Sequence, residues 1–448
     1  SWNVFDQLFR WDLRTSGTSG ITYLGAAVRS FFAQGGRKCY VVRVGDPWER
    51  GLLRAARLAH LDALIPGWTS GQLRSTPADR SSWQGVGHLF GLPDVSFLCL
   101  PDLAEAVSVD PDPVTVPVAP ILPEQFVECG DEPTSQVVVE AIRWAQAPRC
   151  DEAAYRQWAQ AVNFVAGLVA RRQREVQVVV ALPLPKAGTP IEQDCHGWLT
   201  NRTDGILNAG LVESARPGLA SAFVQLAFPW VTTSASTYLP EQLESPDGVV
   251  AGVLARNALT RGSFRSAAGL PLVEVSAVWP PWGPEQFARP TVVTDTRGAR
   301  ARTMAERVSL VGPTPRGFQL LSDVTTSLDE SYRPACVNRL VTAIVRAARR
   351  LGEEVLFEAS GDVLWGRIRA SLQSLLLGLF QDGALQGATP AEAFQVRCDR
   401  TTMSQNDIDQ GRVIVTVQFQ AAMPIERITV VLGLHEGGQV SVVSANGV

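Results

Sequence analysis

Lysine is nearly missing from this chain. Of 448 residues 40 are basic, yet only Lys38 and Lys186 are lysines, the rest being arginines. The bias fits a GC-rich genome, and it also fits a protein whose cations make bidentate, interface-type contacts, which the planar guanidinium favours. Histidine is scarce too. His60, His88, His196 and His435 lie far apart, with no H-E-x-x-H and no pair at helical spacing, which argues against a histidine-built metal site. The seven cysteines, Cys39, Cys99, Cys129, Cys150, Cys195, Cys336 and Cys398, include no C-x-x-C, and their spacings are wide and irregular. They read as reduced, mostly buried thiols of a cytoplasmic protein, not as a secreted disulfide framework. Apolar runs such as Val178–Leu182 are far shorter than the roughly 20 residues that cross a bilayer. No signal-peptide pattern opens the chain, and with no initiator Met before Ser1-Trp2-Asn3 we expect further chain upstream. Strong positive charge is absent as well: the formal net charge is −4, which argues against nucleic acid as the main partner, because phosphate binding needs a basic surface.

What is present is ordinary globular material. Hydrophobic residues make up 46% and charged residues 19%, enough apolar side chain to offset the entropy of ordering. At about 150 residues per domain the length suggests two or three domains. Helices are expected over 21–34, where Leu24, Val28, Phe31 and Phe32 share a face, over 50–64, and over 151–173, with Tyr155, Trp158, Val162, Val165 and Val169 in one stripe. Strands are expected at Cys39–Val44, Val95–Leu100 and 175–182. This alternation indicates an α/β layer structure with parallel pairing. Residues 105–133, rich in Pro and Val, read as an extended loop or small insertion, and 221–254 as β-rich. Pro and Gly clusters at 279–284 and 312–315 punctuate the next stretch, and a boundary is placed at the second. Beyond it come a helix over 335–351, a strand at Val355-Leu356-Phe357, and a helix from Asp362 to about Phe380 carrying Leu364, Ile368, Leu372, Leu375 and Leu379, closed by Gly383. Two alternating strands follow, 412–420 and 427–434, then a short polar tail. The last strand, with Ile428, Val430, Leu432 and Leu434 in step, is either an internal sheet member or an edge that pairs with another chain. The fold class is α/β, or mixed α+β.

The search for chemistry fails. Gly17-Thr18-Ser19-Gly20 precedes a helix but lacks the Gly-Lys-Ser/Thr of a phosphate loop. Cys195-His196 sit side by side, whereas a nucleophile and its base must face each other across a fold. No G-x-S-x-G elbow is present. Asp399, Asp407 and Asp409 supply only a fragment of a calcium loop, and turn or short-helix formation by local side-chain bonding explains them better.

Several segments resemble the sheath proteins of contractile phage tails and related contractile injection systems. The strongest are Leu364-Trp365-Gly366-Arg367-Ile368-Arg369, Gly383–Phe394, Val396–Met403 and Asn406–Gly411. Phe228-Pro229-Trp230, Pro246–Arg256 and Ala27–Val44 add weaker matches upstream. The motif residues of the C-terminal domain are Trp365, Arg367, Gly387, Phe394, Arg397, Asp399, Asp407 and Asp409. Gly317–Val324 departs from the family's aromatic strand, and the N-terminal arm by which family members reach a neighbour is absent from this sequence. The resemblance implies an N-terminal α/β sheath body, 1–312, with an insertion at 105–133 and a β-rich outer part at 183–310. It implies a C-terminal α+β domain, 313–448, with helices against a mixed sheet and a terminal donor strand, 425–434. Ile425, Arg427, Ile428, Val430, Leu432 and Leu434 would form that inter-subunit strand. The implied function is a structural subunit that polymerises as stacked hexameric rings around an inner tube and contracts to drive it through an envelope. The implied partners are identical subunits, the inner tube protein, and baseplate and cap proteins, with assembly in the cytoplasm, no cofactor, no metal and no membrane insertion. A non-contractile collar or baseplate-adjacent relative is the alternative, and an α/β hydrolase-type enzyme a remote one.

Overall fold

The apolar strands gather into one sheet. The computed structural model describes residues 1–12, 22–46, 48, 52–110, 114–118, 139–143, 146–186, 219–288, 291–295, 298–327, 329–355, 358–410, 412–422, 430–434 and 440–444. These fall into two compact units, Ser1–Arg349 and Arg350–Val448.

In the first unit the helices are α1 (Trp2–Phe9), α2 (Leu24–Ala33), α3 (Arg54–Leu64), α4 (Leu103–Val107), α5 (Glu152–Arg172), α6 (Asp247–Thr260) and α7 (Pro284–Phe287), with most of α8 (Ala335–Glu354). The main sheet runs β1 (Phe97–Cys99), β5 (Gln177–Ala181), β7 (Val224–Phe228), β12 (Ser309–Thr314) and β13 (Gly317–Leu320), in that order. Its first four strands are parallel and β13 returns antiparallel. β5 and β7 are buried along their whole length, as strands covered on both faces must be. The pleat divides them. Val178, Val180, Leu226 and Phe228 join the larger core with Tyr155, Trp158, Val162 and Val165 of α5. Val179 and Ala227 join a second core with Val249, Val250 and Val253 of α6.

The helix starts are written locally. Asp151 accepts from the Ala154 N–H at 2.8 Å, Glu152 stands in the first turn of α5 and Arg171 and Arg172 in its last, matching the helix dipole. α6 lies so close to α2 that a Cβ on Gly248 would meet the Ala27 carbonyl oxygen at 2.4 Å, and one on Gly252 the Phe31 oxygen at 2.6 Å.

Small pairs complete the unit: β2 (Val114–Val118) with β3 (Val139–Arg143), β4 (Arg149–Cys150) with β6 (Leu184–Pro185), β8 (Trp230–Thr232) with β9 (Ala277–Trp279), and β10 (Thr291–Asp295) with β11 (Gly298–Arg302). In the second unit α9 (Asp362–Gln381) packs on β14 (Phe394–Arg397), with α10 (Pro390–Ala393) and α11 (Gln405–Asp409) beside it in sequence. β14 pairs antiparallel with β15 (Thr416–Phe419), and β16 (Val430–Leu434) with β17 (Val440–Ser444).

Five expectations are corrected. Cys39–Val44 is assigned to no strand and pairs with none among the described residues. Val249, Val250 and Val253 are helical, because α6 is buried nearly all round and so shows no amphipathic stripe. Residues 105–133 contain the end of α4 and the strand β2, with 111–113 and 119–133 outside the described residues. The 312–315 cluster is no boundary: β12 and β13 meet across it inside the main sheet. The polar tail contains β17. Leu356-Phe357, Gly17–Gly20 and Cys195-His196 lie outside the described residues.

Helix α9 buries Leu364, Trp365, Ile368, Leu372 and Leu376, while Val363 is 90% exposed. Leu376→Asp is expected to destabilise the second unit by about 3 kcal/mol or more, since it buries an unpaired carboxylate. Val363→Asp should leave the urea midpoint nearly unchanged. Equal midpoints for the two variants would contradict the assigned core.

Candidate functional site: buried ionic anchors and the C-terminal motif

Some charged groups of the first unit bond in its interior. On α8, Arg339 meets Asp323 through two contacts, 3.0 Å to Oδ1 and 2.5 Å to Oδ2, with both side chains buried. Asp323 also accepts from the Gln225 side chain at 3.0 Å and the Ala267 N–H at 2.7 Å, and Arg339 Nε donates to the Ser263 carbonyl at 3.1 Å. Burial alone would push the Asp323 carboxyl up. The guanidinium and these donors outweigh it, and the carboxyl sits below its ordinary value. Further along α8, Arg346 donates to the Val95 carbonyl at 2.8 Å and to Ser96 Oγ at 3.0 Å. Arg349 lies 2.8 Å from Glu175, close in distance though off hydrogen-bond geometry. Positions 339, 346 and 349 share one side of the helix, so α8 is clipped to the sheet and to the segments leading into β1 and β5.

A different pair of acids sits at the start of α6. Glu244 accepts from Ser30 Oγ at 2.6 Å and Thr233 Oγ1 at 2.7 Å. Asp247 accepts from Ser245 Oγ at 2.7 Å and the Gly248 N–H at 2.9 Å. Neither has an ion-pair partner among the described residues, and one oxygen of each has no hydrogen-bond partner there. Burial therefore dominates and pushes Glu244 up to about 8 and Asp247 to about 6.

The motif residues of the second unit serve local geometry. Trp365 is buried, its Nε1 donating to Ser360 Oγ at 3.2 Å; Arg367 is exposed and pairs with Glu358 at 2.5 Å. Gly387 (φ 157°) leaves no room for a Cβ, which would stand 2.9 Å from the Ala393 nitrogen. Phe394 stands opposite Phe419, and Arg397 opposite Thr416. Asp399 accepts from the Thr401 N–H at 2.7 Å, Asp407 forms a reciprocal cap with Ser404, and Asp409 accepts from Gln405 at 2.8 Å. The acidic cluster thus makes a turn and a short helix, as expected.

Of the expected linking strand, Val430, Leu432 and Leu434 lie in β16, facing β17 across an antiparallel ladder; Ile425, Arg427 and Ile428 lie outside the described residues. Among the described residues Cys150, Cys336 and Cys398 are buried, Cys99 half-buried and Cys39 exposed, all as free thiols. No group of three His, Cys, Asp or Glu there could hold a metal, and no helix there is long and apolar enough to cross a membrane. Sequence reasoning missed Asp323, Glu244 and Asp247. The signal for the last two was Glu244-Ser245-Pro246-Asp247, a run of capping residues ahead of an apolar stretch.

No family profile matches the chain, and no curated protein does. Solved structures match along nearly its whole length. A chain of the anti-feeding prophage baseplate in the contracted state superposes with a TM-score of 0.62 at 19% identity, over 98% of this chain and 88% of that one. A chain of the 6-fold symmetrised baseplate of the same particle gives 0.59 at 18% identity, over 97% and 86%. The contracted helical sheath gives 0.52 at 19% identity, over 94% and 83%. The chain therefore has the mixed α+β fold of these contractile-particle components.

The sign of the pH dependence follows from the two buried acids. A carboxyl whose folded pKa lies above its unfolded value holds more protons folded than unfolded, so stability falls as pH rises from about 4 through 6 for Asp247 and 8 for Glu244. The slope is on the order of 1.4 kcal/mol per pH unit for each group while it titrates only in the unfolded chain. Glu244→Gln is expected to flatten urea-measured stability between pH 5 and 8 and to gain on wild type at pH 8. An unchanged slope would show that Glu244 is not protonated in the folded protein.

Proposed function

We propose that the protein is a structural subunit of a contractile sheath. It assembles as hexameric rings stacked around an inner tube and shortens to drive that tube through an envelope. The observation that carries this reading is the likeness in fold, over 94% or more of this chain, to components of a contractile particle, one of them a sheath in its contracted state. The sheath-like motifs of the second unit point the same way. So does the use of the described ionisable groups, which cap, anchor and pair. On this reading the protein is no enzyme, and its partners are further copies of itself, the tube protein, and baseplate and cap proteins, with assembly in the cytoplasm. Residues 425–434 tie neighbours together by strand addition, whose backbone hydrogen bonds survive while the bodies change their contacts. Contraction releases energy stored in a metastable extended lattice by exchanging weaker lateral contacts for better-matched ones.

A second reading has its own support. Both baseplate chains superpose better than the helical sheath chain, which favours a ring next to a baseplate. Electron microscopy of full-length protein separates the two: striated sleeves in two lengths support the sheath, isolated rings the baseplate-adjacent component. Deleting residues 425–448 should leave a cooperatively melting body and abolish polymers. Sleeves formed by the truncated protein would exclude strand donation by the C-terminus.

A further inference from the structure

The segment Cys39–Val44 has the composition of a strand and none of its bonds. Residues 37–46 enter no backbone-to-backbone hydrogen bond with other described residues. Tyr40, Val42 and Val44 are 45, 37 and 39% exposed, and only Val41 leans on the core. Strand β1, the outermost of the main sheet, has an equally empty edge among the described residues. The Gln177 N–H binds the Ser96 carbonyl, so by the alternation of a parallel ladder Ser96 and Leu98 face β5. The N–H and C=O groups of Phe97 and Cys99 therefore point outward. Segment and edge both line a single cavity of about 1070 Å³. Its other walls are mostly apolar, with Val28 and Phe31 from α2 and Ala251, Ala255 and Leu259 from α6, and Thr22, His60, His88 and Asp102 are the polar groups among them.

We propose that residues 39–44 are a strap that closes onto the outer edge of β1 as a sixth strand of the main sheet. Four observations converge on this segment as the occupant. The tether is already made: Lys38 binds Asp94 at 2.5 Å and the Tyr40 hydroxyl donates to the same carboxylate at 3.0 Å, three residues before β1. Hinges bracket the strap, with Gly35 at φ 102° and Gly45 at φ 155°. The connection from 45 to 96 carries α3, so closure completes a strand–helix–strand crossover, which demands parallel pairing with β1. The strap's period also matches the void: Tyr40, Val42 and Val44 share one face, opposite the Val41 that already touches the core, and that face would fill the apolar cavity. Closure gives the outward groups of Phe97 and Cys99 partners and removes an apolar edge that would otherwise recruit foreign strands. The open strap leaves β1 free to accept one.

Hydrogen–deuterium exchange on the full chain, read by mass spectrometry, tests this. The alternate amides within 41–44 that face β1, and with them those of Phe97 and Cys99, are expected to exchange at least about tenfold slower than unstructured chain. Val42→Pro, which removes an N–H from the strap, should abolish both protections while 177–181 stay protected. Should that variant not fold, Val44→Asp, which places an unpaired charge in the cavity, should give the same paired loss. Exchange of 41–44 at the unstructured rate overturns the proposal. So does protection of Phe97 and Cys99 that survives both variants or grows with protein concentration, because the edge would then be covered by something else.

Discussion

The Asp323–Arg339 pair is the constraint on which the first unit depends. Both groups are buried, the geometry is bidentate, and every further donor around Asp323 comes from a different part of the chain: Gln225 on β7 and the Ala267 backbone after α6. Arg339 returns the favour by capping carbonyls at Ser263 and Arg265. A buried pair of this kind adds little net stability over an apolar replacement, but losing one partner alone costs about 3–5 kcal/mol through the charge left behind. Its effect is to fix where α8 begins relative to the sheet. Arg346 and Arg349 then extend that grip along the same side of the helix, whose last residues, 350–354, already belong to the second unit.

The two acids at the α2–α6 contact show the opposite solution. Asp323 keeps its charge because a cation stands against it. Glu244 and Asp247 have hydroxyls and one amide, so at low pH they hold protons and at high pH they strain the packing. The contact cannot open to admit water without losing the backbone approach at Gly248 and Gly252. Close helix packing and the raised carboxyls are thus one feature seen twice. A body locked by such contacts can move as a unit.

Much of the fold was legible in sequence wherever a period was clean. α2, α3, α5, α8 and α9 begin and end within a few residues of the expected places, and the alternation around β15 persists from 412 to 420 as strict exposed and half-buried positions. Failures came where burial erases the period, as in α6, or where a strand-like pattern lacks its partner, as in 39–44. The 312–315 Pro and Gly cluster misled because the same residues that break elements also build tight hairpins; Gly317 at φ 101° makes the β12–β13 turn. The C-terminal motif was legible as a motif, yet its residues turned out to shape turns and caps. The buried ion pair was invisible, because its partners, 16 residues apart, follow no spacing rule.

A double-mutant cycle on Asp323→Leu and Arg339→Met, read by urea denaturation of the full chain at pH 7, tests the anchor most directly. Each single change should destabilise by about 3 kcal/mol or more, and the double variant should recover at least about 2 kcal/mol of their sum. Strictly additive losses would show that the two side chains act independently and that α8 is held by something else.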